Sequence, residues 1–249
     1  MASDRLIWLG HASVLLELDG ARLLTDPVLR GRVAHLRRHA PPAADTGALD
    51  AVLVSHAHRD HLDLPTLRAL RPAPRQILVP RGVGRLVRAK TSASVHELTA
   101  GETAVVGAVT VRAVPAVHDG RRSPFSGPSE SIGFVVEAGG RRIYFAGDTA
   151  VYPGMRDLGP LDVALLPIWG WGPSLGPGHM NPSEAVDALE LLRPAVAVPI
   201  HWGTLLPIGL LRHRGRVLRA PVEVFTREAR ERCPEVRVAV LGVGDPVAL

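Results

Sequence analysis

The stretch 55-SHAHRDHLD-63 places His56, His58, Asp60 and His61 directly after the apolar run Ala51–Val54. Side chains alternate in direction along an extended segment, so His56 and His58 point the same way. Asp60 and His61 lie past the turn and reach toward a second position. Imidazole together with carboxylate suits zinc, and also iron or manganese. A lone histidine after an apolar strand is ordinarily a packed core residue. This many polar groups at the end of a buried strand are costly unless they have a charge to coordinate.

Such a cluster needs further ligands. His118 in 113-AVPAVHDG-120, Asp148 in 143-IYFAGDT-149 and His201 in 196-VAVPIHWGT-204 each end an apolar run beside small residues. An aspartate before threonine is often only a turn former. The recurrence of one context at all of these positions favours ligands.

The surrounding pattern predicts an α/β fold. Leu6–Leu9, Val14–Leu18 and Ala21–Thr25 read as strands, with Asp19-Gly20 as a hairpin turn. Asp26-Pro27 ends the third, a polar loop covers Val28 to Asp50, and Ala51–Ser55 is a buried strand. Helices are expected at Pro65–Leu70, Val83–Lys90 and Val222–Arg232, and strands at Ile77–Pro80, Val163–Ile168, Val196–Ile200 and Val236–Leu241. Thr103–Val106 with Val109–Val114, and Ile132–Glu137 with Arg142–Ala146 around Gly139-Gly140, read as hairpins. Asn181-Pro182-Ser183-Glu184 offers an N-cap, a first-turn proline and a capping-box glutamate for a helix running to about Leu192. These elements suit a four-layer αββα sandwich, two mixed sheets face to face with helices outside, in a single domain spanning 1–249.

Composition narrows the function classes. The lone Cys233 excludes an internal disulfide and a cysteine zinc cluster. No apolar run is long enough to span a bilayer, and the N-terminal MASDRLIWLGHA has no signal-peptide pattern, so a cytoplasmic protein without integral membrane association is expected. The net charge of +5 comes from arginines that are mostly scattered, and aromatic residues are only 4% of the chain. Composition therefore argues against nucleic acid as a partner. A local knot of Arg30, Arg32, Arg37 and Arg38 in the loop before the metal strand suits a small anionic substrate instead. The oligomeric state is open, a homo-oligomer included.

HAHRDH, then a lone histidine, then GDT, then a histidine after an apolar strand resembles the metallo-β-lactamase-fold hydrolases along essentially the whole chain. The stretches 8-WLGHASVLLE-17, 24-LTDPV-28 and 178-GHMNPSEA-185 resemble more narrowly the branch with ascorbate-6-phosphate lactonase and N-acylphosphatidylethanolamine phospholipase D. The resemblance implies two divalent metal ions, zinc first, with manganese or iron as alternatives. His56, His58 and His118 would hold one, Asp60, His61 and His201 the other, and Asp148 would bridge them. Asp60 and His179 are the catalytic candidates. It also places His11 near the metals, where the sequence alone reads it as structural.

Other positions carry open alternatives. Asp26 reads equally as a partner for a ligand histidine or as a turn carboxylate. His179, just before a helix start, reads as a substrate binder, a proton donor to the leaving group, or a packing residue. Trp169 and Trp171 read as an apolar wall of the cleft or as ordinary core aromatics. The expected activity is attack of metal-activated water on an ester, lactone or phosphodiester of a small anionic substrate. The alternatives are a nuclease with the same metals and a metal-binding module without catalysis.

Overall fold

The computed structural model describes residues 4–41, 45–123, 125–169, 176–209 and 214–249. β1 (Arg5–Gly10), β2 (Ser13–Leu18) and β3 (Ala21–Thr25) form an antiparallel meander. Asp19 and Gly20 make the second turn with φ of 45° and 77°, the left-handed pair a two-residue hairpin requires. After the short hairpin of β4 (Arg32–Val33) and β5 (Leu36–Arg38), β6 (Ala51–Leu53) runs parallel to β3. Asp63 caps α1 (Leu64–Ala69) by accepting from the Thr66 amide. β7 (Gln76–Pro80), α2 (Gly84–Arg88) and β8 (Ser94–Leu98) follow, and β6, β7 and β8 are mutually parallel.

The second half opens with β9 (Thr103–Val106), β10 (Val109–Pro115), β11 (Ile132–Ala138) and β12 (Arg141–Phe145), again antiparallel. β13 (Val163–Pro167), α3 (Pro182–Leu192) and β14 (Val196–Ile200) continue it in parallel. Asn181 and Glu184 form the reciprocal capping box at the start of α3. β15 (Leu205–Pro207), α4 (Arg214–Arg232), β16 (Arg237–Val238) and β17 (Pro246–Ala248) complete the chain. The sheets run β17-β1-β2-β3-β6-β7-β8 and β16-β14-β13-β12-β11-β10-β9, with β15-β5-β4 as a small third sheet.

The inner faces of the two large sheets meet in one apolar layer, in which Leu16, Leu23 and Leu53 pack with Val111, Phe134 and Val198. On the outer face of the first sheet, Leu67 of α1 and Val87 of α2 cover Val52 and Ile77. On the outer face of the second, Val186 and Leu189 of α3 with Phe225 and Ala229 of α4 cover Tyr144 and Leu166. This is the αββα sandwich expected from the sequence.

The differences lie at the margins. The 28–50 segment is not a simple loop, because Val28, Val33 and Leu36 bury against Leu205 and so order the small third sheet. α4 begins at Arg214 and keeps Pro221 inside it, a residue that ordinarily bars a helix interior. Of the expected strand Val236–Leu241, only Arg237–Val238 pairs with β14, and β8 and β17 add an edge strand at each end of the first sheet beyond those the sequence pattern predicts. Among the described residues, no helix is long and apolar enough to cross a membrane.

Candidate metal centre

The candidate ligands sit where strands end. His56 follows β6, His118 follows β10, Asp148 follows β12 and His201 follows β14, all at one rim of the sandwich. Crevices at the carboxyl ends of parallel strands are the usual sites in open α/β sheets. Here the chain must turn sharply to aim each side chain inward. His11, Asp26 and His201 do so with φ of 55°, 31° and 62°, a left-handed backbone uncommon outside glycine. Each costs of order 1–3 kcal/mol and persists because its surroundings fix it. The Asp26 amide donates to the Leu53 carbonyl at 2.8 Å, the His201 amide to the His11 carbonyl at 2.9 Å, and the His11 amide to Thr204 Oγ1 at 3.0 Å. Trp8 Nε1 also donates to the His11 carbonyl at 2.9 Å, and its ring stacks on Trp202 with centroids 5.3 Å apart.

Two donor sets converge. In the first, His58 Nδ1 lies 3.0 Å from His56 Nε2 and 3.1 Å from His118 Nε2. In the second, His61 Nε2 and His201 Nε2 lie 3.1 Å apart, and each is 3.7 Å from Asp60 Oδ2. The Asp148 carboxylate stands between the sets. Its Oδ2 is 3.2 Å from His61 Nε2 and 4.0 Å from His56 Nε2, and its Oδ1 is 3.4 Å from His201 Nε2.

The far side of each ring fixes its tautomer. His118 Nδ1 donates to the Gly178 carbonyl at 2.9 Å, His201 Nδ1 to the Trp169 carbonyl at 2.5 Å, and His61 Nδ1 to Asp26 Oδ2 at 2.7 Å. With Nδ1 carrying the proton, each Nε2 faces the centre as a bare lone pair. Lone pairs aimed at one another from about 3 Å need a cation between them. Among the described residues Asp148 Oδ1 is buried without a hydrogen-bond partner, as a carboxylate oxygen reserved for a metal would be. The residues therefore fit divalent cations well.

Electrostatics agree. Burial pushes His56 well below the ordinary imidazole range, His118 down to about 4 and His11 down to about 3, so these rings are neutral donors. Burial opposes ionisation of Asp60, yet His61, His11 and His201 hold it well below the usual carboxylate range. Burial likewise opposes Asp148, and His201, His61 and His56 outweigh it. The Asp148, Asp60 and Asp26 carboxylates overcome burial and draw positive charge to His61, raising it well above the imidazole range; a cation held by the second set would take the place of the Nε2 proton.

The remaining candidates fall out differently. Asp26 is fully buried and bonds His61, so it is more than a turn former. His11 is buried with Nε2 3.3 Å from Asp60 Oδ2, within the second donor set. His179 is partly exposed, with Nε2 3.6 Å from Asp148 Oδ2, its ring edge-on to His118, and its Nδ1 buried without a hydrogen-bond partner among the described residues. Trp169 is buried and reaches the centre through its backbone carbonyl, while Trp171 lies outside the described residues.

The arginine knot is largely spent on structure. Arg38, expected to meet substrate, is a correction: its guanidinium is buried and donates to the Leu9, Val28 and Pro41 carbonyls. Arg30 forks onto Asp63 at 2.7 and 2.8 Å, and Arg32 bonds the Ala34 carbonyl. Arg37 is exposed on β5, paired in register with Leu206. Sequence reasoning passed over Ser55, which stands directly before His56 and bonds both that ring and Asp26.

Two mixed sheets between helix layers, with paired imidazole and carboxylate sets at the strand ends, define a metal-binding αββα sandwich. The sequence profile described as the beta-lactamase superfamily domain matches residues 21–202, and the chain belongs to the metallo-β-lactamase superfamily. A relative in Opitutus terrae named a UPF0173 metal-dependent hydrolase is 34% identical over 94% of this chain and 96% of its own length. The N-acyl-phosphatidylethanolamine-hydrolyzing phospholipase D 1 of Caenorhabditis elegans is 35% identical over 81% of this chain and 64% of its own. The chain spans still less, 58%, of a Mycobacterium tuberculosis relative that is 39% identical over 79% of this chain. In three dimensions it is similar to Igni18, a metallo hydrolase of Ignicoccus hospitalis, with a TM-score of 0.75, 24% identity, and coverage of 100% of this chain and 99% of that one. That last likeness concerns the fold.

Proposed function

We propose that the chain is a binuclear metal-dependent hydrolase acting on an ester, lactone or phosphodiester of a small anionic substrate. The observation that carries this reading is the Asp148 carboxylate standing between two converging donor sets, within 4.0 Å of His56, His61 and His201 nitrogens. His56, His58 and His118 would hold one cation, Asp60, His61 and His201 the other, with zinc as the first expectation and manganese or iron as alternatives. When bound, such cations supply Lewis acidity to the group under attack and acidify water for the attack.

The chain's own residues do the rest. Asp26, the Trp169 carbonyl and the Gly178 carbonyl hold their histidines with Nε2 inward. Asp60, ionised and partly exposed, presents a carboxylate to the second set and can accept a proton beside the reacting group. His179 stands at the open side of Asp148, just before the N-terminus of α3, where a protonated ring can donate to the departing oxygen. Arg30 and Arg32 are exposed too but bond Asp63 and the Ala34 carbonyl, which leaves exposed Arg37 as the candidate for a substrate phosphate or carboxylate. The names of the relatives in Opitutus terrae and Caenorhabditis elegans support hydrolysis and, in the second case, a phosphodiester.

Metal analysis of purified protein, followed by a screen of lactones, phosphodiesters and thioesters with and without chelator, tests the proposal. Two equivalents of metal and chelator-sensitive turnover of one of these classes are expected. Fewer than two equivalents after reconstitution with zinc, iron or manganese would overturn the binuclear reading. Metal-dependent cleavage of RNA or DNA, lost on raising salt, would replace the small substrate with nucleic acid.

A further inference from the structure

We infer that Ser55 is a positioning residue: its hydroxyl relays the hold of one carboxylate, Asp26, onto His56, so that Asp26 orients a ligand of each metal set. The inference rests on the binuclear reading above.

The hydrogen-bond chemistry is directional. Asp26 Oδ1 lies 2.7 Å from the Ser55 amide, and Oδ2 lies 2.6 Å from Ser55 Oγ and 2.7 Å from His61 Nδ1. The Ser55 amide occupies Oδ1 and His61 Nδ1 occupies Oδ2 as donors, so the carboxylate is the accepting partner and the Ser55 hydroxyl proton points at it. The hydroxyl oxygen is then left as an acceptor toward His56 Nδ1, 2.9 Å away. His56 must therefore carry its proton on Nδ1 and present Nε2 to His58 and Asp148. The same carboxylate fixes His61 directly in the matching tautomer. One ligand of the first set and one of the second thus hang on a single buried carboxylate, the first through a hydroxyl and the second without one.

The pocket around the hydroxyl is closed. Ser55 and Asp26 are buried, and a Cβ placed on Gly147 would come within 2.6 Å of Ser55 Cβ. Water therefore has little room to replace the hydroxyl. Ser55→Ala keeps the Cβ and removes only the relay. Loss of an outer partner of a ligating histidine typically costs about 10–100-fold in metal affinity.

The test is zinc titration against a competing chelator on the full chain, for wild type, Ser55→Ala and Asp26→Asn. Wild type should bind two zinc ions. Ser55→Ala should weaken one of them by about 10–100-fold and leave the other within about threefold. Asp26→Asn should weaken both. Long-range proton–nitrogen NMR on the zinc-loaded wild type should show His56 protonated at Nδ1, a readout that stands even if a variant does not fold. A wild type binding two ions while Ser55→Ala binds both unchanged, or loses both alike, would overturn the role of Ser55 alone. So would a His56 protonated at Nε2. A wild type that binds fewer than two ions would instead overturn the binuclear reading, and this inference with it.

Discussion

Replacing Arg38 by Met separates a structural arginine from a substrate-binding one. Methionine keeps a long apolar stem and removes the guanidinium, which donates to the Leu9, Val28 and Pro41 carbonyls. Pro41 is exposed, and its carbonyl can turn to water. Leu9 and Val28 are buried, so their carbonyls lose this donor without water to replace it. A stranded buried acceptor costs about 1–3 kcal/mol. Part of the loss is recovered because a charge no longer has to be buried. The balance is a destabilisation of about 3 kcal/mol, or about 6–12 °C in Tm for a chain of this size. Arg37→Ala, at an exposed neighbour, should stay within about 0.5 kcal/mol of wild type. Thermal and urea unfolding at a fixed saturating zinc concentration measures both, since bound metal itself shifts Tm. An Arg38→Met protein as stable as wild type, but with a raised KM for an anionic substrate, would refute this account and restore Arg38 to the cleft.

Other expectations concern the centre itself. Asp148→Ala should lose both metals, because its carboxylate faces both donor sets, and metal analysis after gel filtration would show it. His179→Ala should keep full metal content while turnover falls by about 10²–10⁴-fold, with much of the loss recovered on a substrate bearing a good leaving group. Unchanged kinetics on every accepted substrate would make His179 a packing residue. His11→Ala removes the imidazole 3.3 Å from Asp60 Oδ2, and chelator competition should show the affinity for one metal lowered by about 10–100-fold with the other unaffected.

Much of the fold was legible because its local signals are strong. Asp19-Gly20 forces a hairpin, Asp63 caps α1, and Asn181-Pro182-Ser183-Glu184 both caps α3 and shows its direction. The buried parallel strands read as continuous apolar runs because both faces are covered. What escaped depends on distant partners. β8 and β17 are short edge strands whose pairing with β7 and β1 their own sequences do not announce. The 28–50 segment became a small sheet only because Leu205, far along the chain, supplies the apolar contact and β15 the third strand.

The same division runs through the site. Histidines and aspartates at strand ends announce themselves by residue type, and the structure brings His56, His58, His118, Asp60, His61, Asp148 and His201 together. Arginine does not announce its role, since a guanidinium suits a substrate anion and a set of backbone carbonyls equally well. Which one Arg38 meets was decided by β5 pairing with β15, which turns its side chain toward buried Leu9 and Val28. Ser55 was silent for the opposite reason. A serine after an apolar strand is unremarkable until Asp26 arrives in left-handed backbone from the neighbouring strand, with both carboxylate oxygens aimed at it. The ligands are therefore visible in one dimension, whereas the groups that hold them acquire their chemistry from contacts that exist only once the strands have paired.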